Sequence, residues 1–187
     1  MRSLMMVFGL ACLVFTFTGP AMAAEQVDNP TYASWSKYKP GTEVTSNQTM
    51  TMGGMTMKME THQKLTKVTD DNVTVESWSV MDMAGMKRQS PKHSMAIPAK
   101  VDKGSENMPT GYSGKAQVLD NEDVTIGGKK YNCKVIHFTG EAEGNKMDGK
   151  MWSSTEVPGT MVKMDMNMTG EQSGQMKMEL VKVTPAE

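Results

Sequence analysis

Residues 48–60 read QTMTMGGMTMKME, in which a glycine pair separates two alternating segments. Gly53-Gly54 is typical of a two-residue hairpin turn, because glycine adopts the positive φ angles that such turns need. The turn therefore predicts two antiparallel strands, Glu43–Met52 and Met55–Val68, from which the sheet extends.

The register of this hairpin decides which side chains share a face of the sheet. A two-residue turn pairs Met52 with Met55, Met50 with Met57, and Gln48 with Met59. Because the side chains of a strand alternate between its faces, five methionines are expected on one face: Met50, Met52, Met55, Met57 and Met59. The other face is wholly polar and carries Thr49, Thr51, Thr56, Lys58, Glu60 and His62.

The C-terminal segment repeats the pattern of alternating methionines. Two sets are expected to share faces: Met164, Met166 and Met168 with Val162, and Met176 and Met178 with Leu180. A five-residue loop over 170–174 would place Met168 opposite Met176 and Met166 opposite Met178. A register shifted by one residue would separate the two sets.

The rest of the chain supplies further strands and one short helix. Asn29-Pro30 predicts the start of a helix over 31–38, because asparagine caps helices and proline suits their first turn. Strands are predicted at 73–80, 115–126, 129–139, 150–156, 160–168 and 175–184, and an interrupted edge strand with a loop at 81–101. We expect a mainly β fold: a single antiparallel bent sheet or incomplete barrel with a short N-terminal helix.

The first residues have the composition of a secretory signal. Arg2 precedes an apolar run over 4–17, and Ala21-Met22-Ala23 places small residues at a cleavage site. We expect residues 1–23 to be a signal peptide and residues 24–187 to form a single β-rich domain. The protein would then be exported, either to the periplasm or out of the cell, with no later segment apolar enough to span a membrane.

Methionine is the unusual component of the remaining chain. Four of the 22 methionines lie in residues 1–23, which leaves 18, against 21 leucine, isoleucine, valine and phenylalanine residues together over 24–187. A core must therefore rest largely on thioether side chains. The net charge of −1 excludes a strongly basic surface, so no nucleic-acid partner is expected. No nucleophile motif or phosphate-binding glycine loop is present, so no enzyme activity is expected, and the lone Cys133 is expected to be buried.

A methionine face is open to three interpretations. It can be ordinary core, since the apolar half of an alternating strand is the buried half. It can be the wall of a ligand cavity, because methionine is flexible and polarisable and adapts to irregular apolar ligands. It can also bind a soft metal, because thioether sulfur suits Cu(I).

The metal interpretation has its own candidate residues. They lie in a segment interrupted by Gly85 and Pro91, where methionine has less reason to serve as core: Met81, Met83, Met86, His93 and Met95. The first hairpin also permits a site, because Met52, Met55 and a neighbouring methionine could bring three sulfurs together across the strand pair. Cu(I), or equally Ag(I), would be the ion in this alternative, whereas the other interpretations need no cofactor.

Three segments carry a resemblance to known proteins: residues 29–41, residues 128–134 (GKKYNCK) and residues 152–159 (WSSTEVPG). Together they resemble a group of small exported bacterial proteins of uncharacterised function. The overall plan is similar to the LolA/LppX-like half-barrel lipoprotein carriers. That resemblance implies a concave sheet face that holds acyl chains, with the methionines as its wall. The methionine content departs from those carriers, whose cavities more often use leucine, isoleucine and aromatic residues.

The leading interpretation is an exported, non-catalytic protein that holds an apolar or lipid-like ligand on a methionine-rich concave face. The ligand-binding residues would be Met50, Met52, Met55, Met57, Met59, Met164, Met166, Met168, Met176 and Met178. The alternatives are a periplasmic Cu(I)- or Ag(I)-binding protein and a structural or interaction module without a small ligand.

Overall fold

The structure, a computed structural model, describes residues 25–83, 86–107, 114–142, 145–170 and 173–187. The predicted signal peptide over residues 1–23 lies outside the described residues. In the part of the chain that is described, no helix is both long and apolar enough to cross a membrane.

The described residues form one helix and thirteen strands. In chain order they are β1 (Gln26–Asp28), α1 (Pro30–Trp35), β2 (Glu43–Met52), β3 (Met55–Val68), β4 (Asn72–Met83), β5 (Met86–Gln89), β6 (His93–Pro98), β7 (Lys100–Asp102), β8 (Gly114–Val118), β9 (Glu122–Ile126), β10 (Lys129–Ala142), β11 (Asn145–Ser153), β12 (Met161–Thr169) and β13 (Gly174–Thr184).

Eleven of these strands belong to one large antiparallel sheet that does not close into a barrel. Its main path is β5-β4-β3-β2-β13-β12-β11-β10-β8, with β6 beside β4 and β9 beside β10. Strands β1 and β7 pair separately. The chain is mainly β with very little helix, so the predicted fold class is confirmed.

Several elements differ from the sequence expectation, which also did not include β1. The helix ends at Trp35 rather than at residue 38, and β11 begins at Asn145 rather than at residue 150. The single strand expected over 115–126 is divided into β8 and β9. Val118 pairs with Ile136 and Glu122 with Cys133, so this edge carries one more residue than β10 between the two pairs. Such an extra residue is a local interruption that alternation along one strand does not reveal.

Register shifts interrupt three strand pairs at the same end of the sheet. They fall between Leu65 and Lys67 in β3, between Trp152 and Ser153 in β11 opposite β12, and between Leu180 and Lys182 in β13. A bulge bends its strand and increases the local twist. These irregularities are the physical reason for a curved sheet.

Helix α1 begins where the sequence predicts. The Asn29 side chain accepts a hydrogen bond from the backbone N–H of Thr31 at 3.0 Å, which satisfies a donor that the first turn leaves unpaired. The Asn29 amide also donates to the Pro98 carbonyl at 2.8 Å. The cap therefore ties the start of α1 to the end of β6.

Helix α1 spans one face of the sheet and is held at both sides. The Tyr32 hydroxyl donates to the carbonyl of Thr69, in the turn between β3 and β4, at 2.8 Å. On the other side, the backbone N–H of Gly159, in the β11–β12 connection, donates to the Ser34 hydroxyl at 2.9 Å. We call the sheet face under α1 the inner face. Two distant parts of the sheet are thereby linked across this face.

The buried residues form two clusters. The first contains aliphatic and aromatic residues near α1, among them Trp35, Val44, Leu65, Val73, Val75 and Val162. The second, further along the sheet, consists of Ile136, Phe138, Met147, Met151, Met164, Met166 and Met176. Methionine therefore does build a core here, although only in one of the two clusters.

The buried hydroxyl of Thr45 leads to a prediction about stability. Its side-chain oxygen is buried and has no hydrogen-bond partner among the described residues. Thr45→Val keeps the shape and removes the unsatisfied hydroxyl, so we expect the free energy of unfolding to rise by about 1 kcal/mol. Urea unfolding measures this, with Thr49→Val in the same strand as the control that should stay near the wild-type value. A loss of stability in Thr45→Val alone would contradict the assignment.

Candidate functional site

The methionines of the first hairpin pair as predicted. Met52 lies opposite Met55, Met50 opposite Met57, and Gln48 opposite Met59. Gly53 and Gly54 have φ angles of 56° and 80°, as the turn requires. The polar and methionine sides of these strands are therefore separated as the sequence indicates.

The C-terminal hairpin differs from its predicted register by two residues. Met166 lies opposite Met176 and Met164 opposite Met178, whereas Met168 lies opposite Gly174. The prediction of Met168 opposite Met176 was wrong because β13 already begins at Gly174, which makes the connection shorter than assumed. A shift of two residues returns each side chain to the same face, so the methionines still share one surface.

The sheet order joins both hairpins into one surface, because β2 pairs with β13. Across the strands, three rows of directly paired residues follow one another on the inner face. The first row is Met81–Met59–Gln48–Met178–Met164–Met151–Ile136. The second row is Met57–Met50–Met176–Met166–Gly149–Phe138. The third row is Met55–Met52–Gly174–Met168–Met147–Gly140. We call the methionines of these rows the methionine face.

Exposure changes steadily along the methionine face. Met164, Met166 and Met176 are 3–5% exposed, whereas Met57 is 47% and Met55 is 74% exposed. The centre is thus packed core, and the β2–β3 hairpin presents thioethers to solvent. The ten predicted ligand-binding methionines are brought together on one face, but they divide between these two environments.

Gly149 and Phe138 complete the face and were missed from sequence. A Cβ at Gly149 would lie 2.7 Å from the Phe138 ring and 2.8 Å from the Asp165 carbonyl, so the ring occupies the place of a side chain. Met147 was also missed, because the strand was expected to begin only at residue 150. Met151 lies within that predicted strand but was not assigned to the methionine face. The period-two pattern of methionine, glycine and methionine over 147–151 was the signal available.

A cavity of about 280 Å³ lies where α1 crosses the inner face. Five methionines line it: Met95, Met161, Met164, Met176 and Met178. Its other walls come from α1, β2, β3, β6 and the Pro158-Gly159 connection, and no charged side chain is among the described residues that line it. The cavity continues directly into the methionine face, because three of these five methionines, Met164, Met176 and Met178, belong to both.

The alternative metal residues are spread over two places. Met81 pairs with Met59 and extends the methionine face, whereas His93 lies opposite Ser77, four residues earlier on β4. Four residues of a strand span about 13 Å, which separates His93 from Met81. Met95 lies opposite Val75, and Met83 pairs with Met86, whose side chains lie outside the described residues.

The described residues also contain no cluster of three or more histidine, cysteine, aspartate or glutamate side chains suited to a metal. His62 lies on the sheet face opposite the inner face. Its ring nitrogens contact Glu43 and Glu60 at 2.9 Å each, and its ring stacks on Trp78. These side chains form a polar network on the opposite side of the sheet from the methionine face.

Cys133 is buried, as the sequence predicts. Burial, together with the negative charges of Asp123, Glu156 and Glu122, raises the pKa of its thiol to about 11. The thiolate, which is the reactive form of cysteine, is therefore disfavoured at neutral pH. Cys133 has the environment of a structural residue.

No protein-family model matches the chain, and no curated protein matches it. Among solved structures, one described as a lipoprotein from Parabacteroides distasonis is similar over 78% of this chain and 96% of its own, with 9% identity and a TM-score of 0.50. One described as an exported protein with a YmcC-like fold, from Bacteroides fragilis, covers 79% and 97% at 7% identity and a TM-score of 0.48. A LolA superfamily protein from Nitrosomonas europaea covers 86% and 94% at 9% identity and a TM-score of 0.24.

The first of these similarities shows a shared fold. The other two have TM-scores below 0.5, and we base no argument on them.

The raised pKa of Cys133 leads to a prediction about pH. The native state holds the thiol proton more tightly than the unfolded chain, so this contribution to stability is complete below pH 9 and is lost as the pH rises through about 11. Between pH 8.5 and 11, we expect the free energy of unfolding of the wild-type protein to fall by about 2 kcal/mol more than that of Cys133→Ala. Urea unfolding across this range measures the difference, and parallel curves for the two proteins would contradict it.

Proposed function

We propose that this protein is an exported, non-catalytic carrier that binds an apolar, lipid-like ligand against its methionine face. The observation that carries the proposal is the continuity of this face, from buried core through the cavity under α1 to exposed thioethers at the β2–β3 hairpin. A face used only as core would not need its outer half to remain apolar. The opposite face of β2 and β3, by contrast, is polar.

The exposure of apolar methionine side chains supports the binding of a ligand to this face. Met55 and Met57 are exposed at adjacent rows of one apolar surface that includes the half-buried Met50, Met52 and Met59. Contiguous apolar surface of this kind is typical of interaction sites. Methionine suits a ligand of variable shape, because its unbranched side chain has three rotatable bonds and a polarisable sulfur.

The size of the cavity indicates how the ligand lies. At about 280 Å³ it is near the lower end of the range of ligand pockets, which is roughly 300–1,000 Å³. It can hold one part of an elongated apolar molecule. The rest of that molecule would lie along the methionine face towards the hairpin.

Export to the periplasm is part of the proposal. The composition of residues 1–23 supports it, and the matched structure with a TM-score of 0.50 is described as a lipoprotein. A carrier in that compartment meets lipids released from membranes. Cys133, the one cysteine of residues 24–187, is buried with a raised thiol pKa, which suits an oxidising environment.

The carrier function is tested with purified residues 24–187. We expect an uncharged hydrophobic dye, N-phenyl-1-naphthylamine, to bind and its fluorescence to rise. Met52→Asp with Met57→Asp should weaken binding at least about tenfold, because a charge on this face must be desolvated when the dye binds. The matched control, Thr49→Asp with Thr56→Asp, changes the opposite face of the same strands and should bind as wild type does.

Native mass spectrometry of the wild-type protein provides an independent measurement, with a co-purified lipid as the expected result. If no dye binds and no apolar ligand co-purifies, the carrier proposal is wrong.

Cu(I) binding at the β2–β3 hairpin is a second candidate. Two cross-strand methionine pairs, Met52–Met55 and Met50–Met57, lie side by side at its exposed end. The Cβ atoms of such pairs are about 4.5–5.5 Å apart, within reach of one ion shared by several flexible thioethers.

Replacing these four methionines by leucine distinguishes the two functions. Leucine keeps the volume and the apolar character but removes sulfur, so a carrier should bind dye within about twofold of wild type. A copper protein should lose Cu(I) retention in competition with a chelator. Retention of Cu(I) by the leucine variant would exclude this hairpin as the copper site.

A further inference from the structure

The inner face carries a group of polar residues between its two apolar regions. On one side lie the aliphatic residues of the first cluster, such as Val44 and Leu65, and on the other side lies the methionine face. Between them, four uncharged hydrogen-bonding side chains line the cavity under α1: Ser46, Gln48, Thr61 and Gln63. We call these four residues the polar band.

The register shows that the polar band is one connected patch. Ser46 pairs directly with Thr61, and Thr61 pairs with Ser79 on the next strand. The Thr61 and Ser79 hydroxyls form a hydrogen bond of 3.2 Å. Gln63 follows Thr61 on the same face of β3, two residues further along the strand. The band therefore crosses β2 and β3 in the part of the inner face that α1 covers.

Part of the hydrogen-bonding capacity of the band has no partner among the described residues. Neither Ser46 nor the Gln63 amide makes a side-chain hydrogen bond to the described residues, and both side chains are half-buried. The Gln48 amide donates to the Met176 sulfur at 2.7 Å, and thioether sulfur is a weak acceptor. A polar group that is shielded from water without a hydrogen-bond partner lowers the stability of the protein. A ligand that supplies such a partner therefore gains binding free energy.

The charges around the cavity restrict what this partner can be. No charged side chain is among the described residues that line the cavity. A charged group placed there would lose its hydration without gaining a counter-ion, which is strongly unfavourable. An uncharged ester, amide or hydroxyl group would instead find both donors and acceptors in the band.

We infer that the ligand is a neutral amphiphile whose uncharged ester, amide or hydroxyl segment lies against Ser46, Gln48, Thr61 and Gln63, with its apolar chain on the methionine face. This inference rests on the proposed carrier function and adds the chemical class of the ligand. A purely hydrocarbon ligand leaves the band unpaired. A fatty acid must keep its carboxylate outside the cavity.

Three probes of equal chain length separate these classes: a pyrene-labelled monoacylglycerol, a pyrene-labelled alkane and a pyrene-labelled fatty acid at pH 8. We expect residues 24–187 to bind the monoacylglycerol about tenfold more tightly than the alkane, since one or two hydrogen bonds in a desolvated site have this effect. The fatty acid should also bind more weakly than the monoacylglycerol. Pyrene fluorescence titrations give the three dissociation constants.

Thr61→Val with Gln63→Leu removes hydrogen-bonding groups at nearly constant volume. We expect this variant to bind the monoacylglycerol about tenfold more weakly and the alkane within twofold of wild type. Thr49→Val with Thr51→Val, on the opposite face of β2, is the control and should leave the preference unchanged. Circular dichroism and thermal unfolding establish that both variants are folded.

The outcomes separate the two levels of the proposal. If the wild type binds the alkane as tightly as the monoacylglycerol, or if Thr61→Val with Gln63→Leu weakens both probes equally, the neutral amphiphile is excluded and the carrier function stands. Equal binding of the fatty acid and the monoacylglycerol would also exclude it. If no probe binds the wild type, the carrier function fails and the ligand class fails with it.

Discussion

The position of α1 across the sheet is the constraint on which the rest of the molecule depends. Trp35, at the end of this helix, is 1% exposed and belongs to the aliphatic cluster. Its indole occupies the space beside Gly159, where a Cβ would lie 3.1 Å from the indole nitrogen. The hydrogen bonds of Tyr32 and Ser34 hold the helix to opposite parts of the sheet. An open sheet with one covered end keeps a cavity beneath the helix and leaves the far end accessible.

Methionine has two roles in this arrangement, and the difference between them is one of burial. Met164, Met166 and Met176 pack between neighbouring strands, and Gly149 admits the Phe138 ring beside them. Towards the β2–β3 hairpin the same residue type loses its protein neighbours and becomes surface. Because a flexible thioether tolerates both environments, one alternating pattern serves as core at its centre and as a binding surface at its edge. The proposed ligand would complete the packing that the protein leaves open.

Much of the fold was predictable because the deciding features are local. The Gly53-Gly54 turn sets the register of its hairpin, and the bounds of β2 and β3 agree with the prediction at both ends. Errors arose where the chain departs from regular alternation. The extra residue between β8 and β9 and the early start of β13 changed registers that periodicity alone does not define. The alternative metal residues were grouped by closeness in sequence, and strand geometry then separated His93 from Met81.

The sequence by itself determined which residues share a face of each strand, since alternation depends only on neighbouring residues. It also determined that methionine must supply much of the apolar surface. Only the tertiary structure decided which strands lie side by side and which methionines are buried. Gln48 and Met176 are 128 residues apart in the chain, yet they are in contact because β2 pairs with β13. The cavity and its polar band arise from such long-range pairings together with the placement of α1, and no local pattern specifies them.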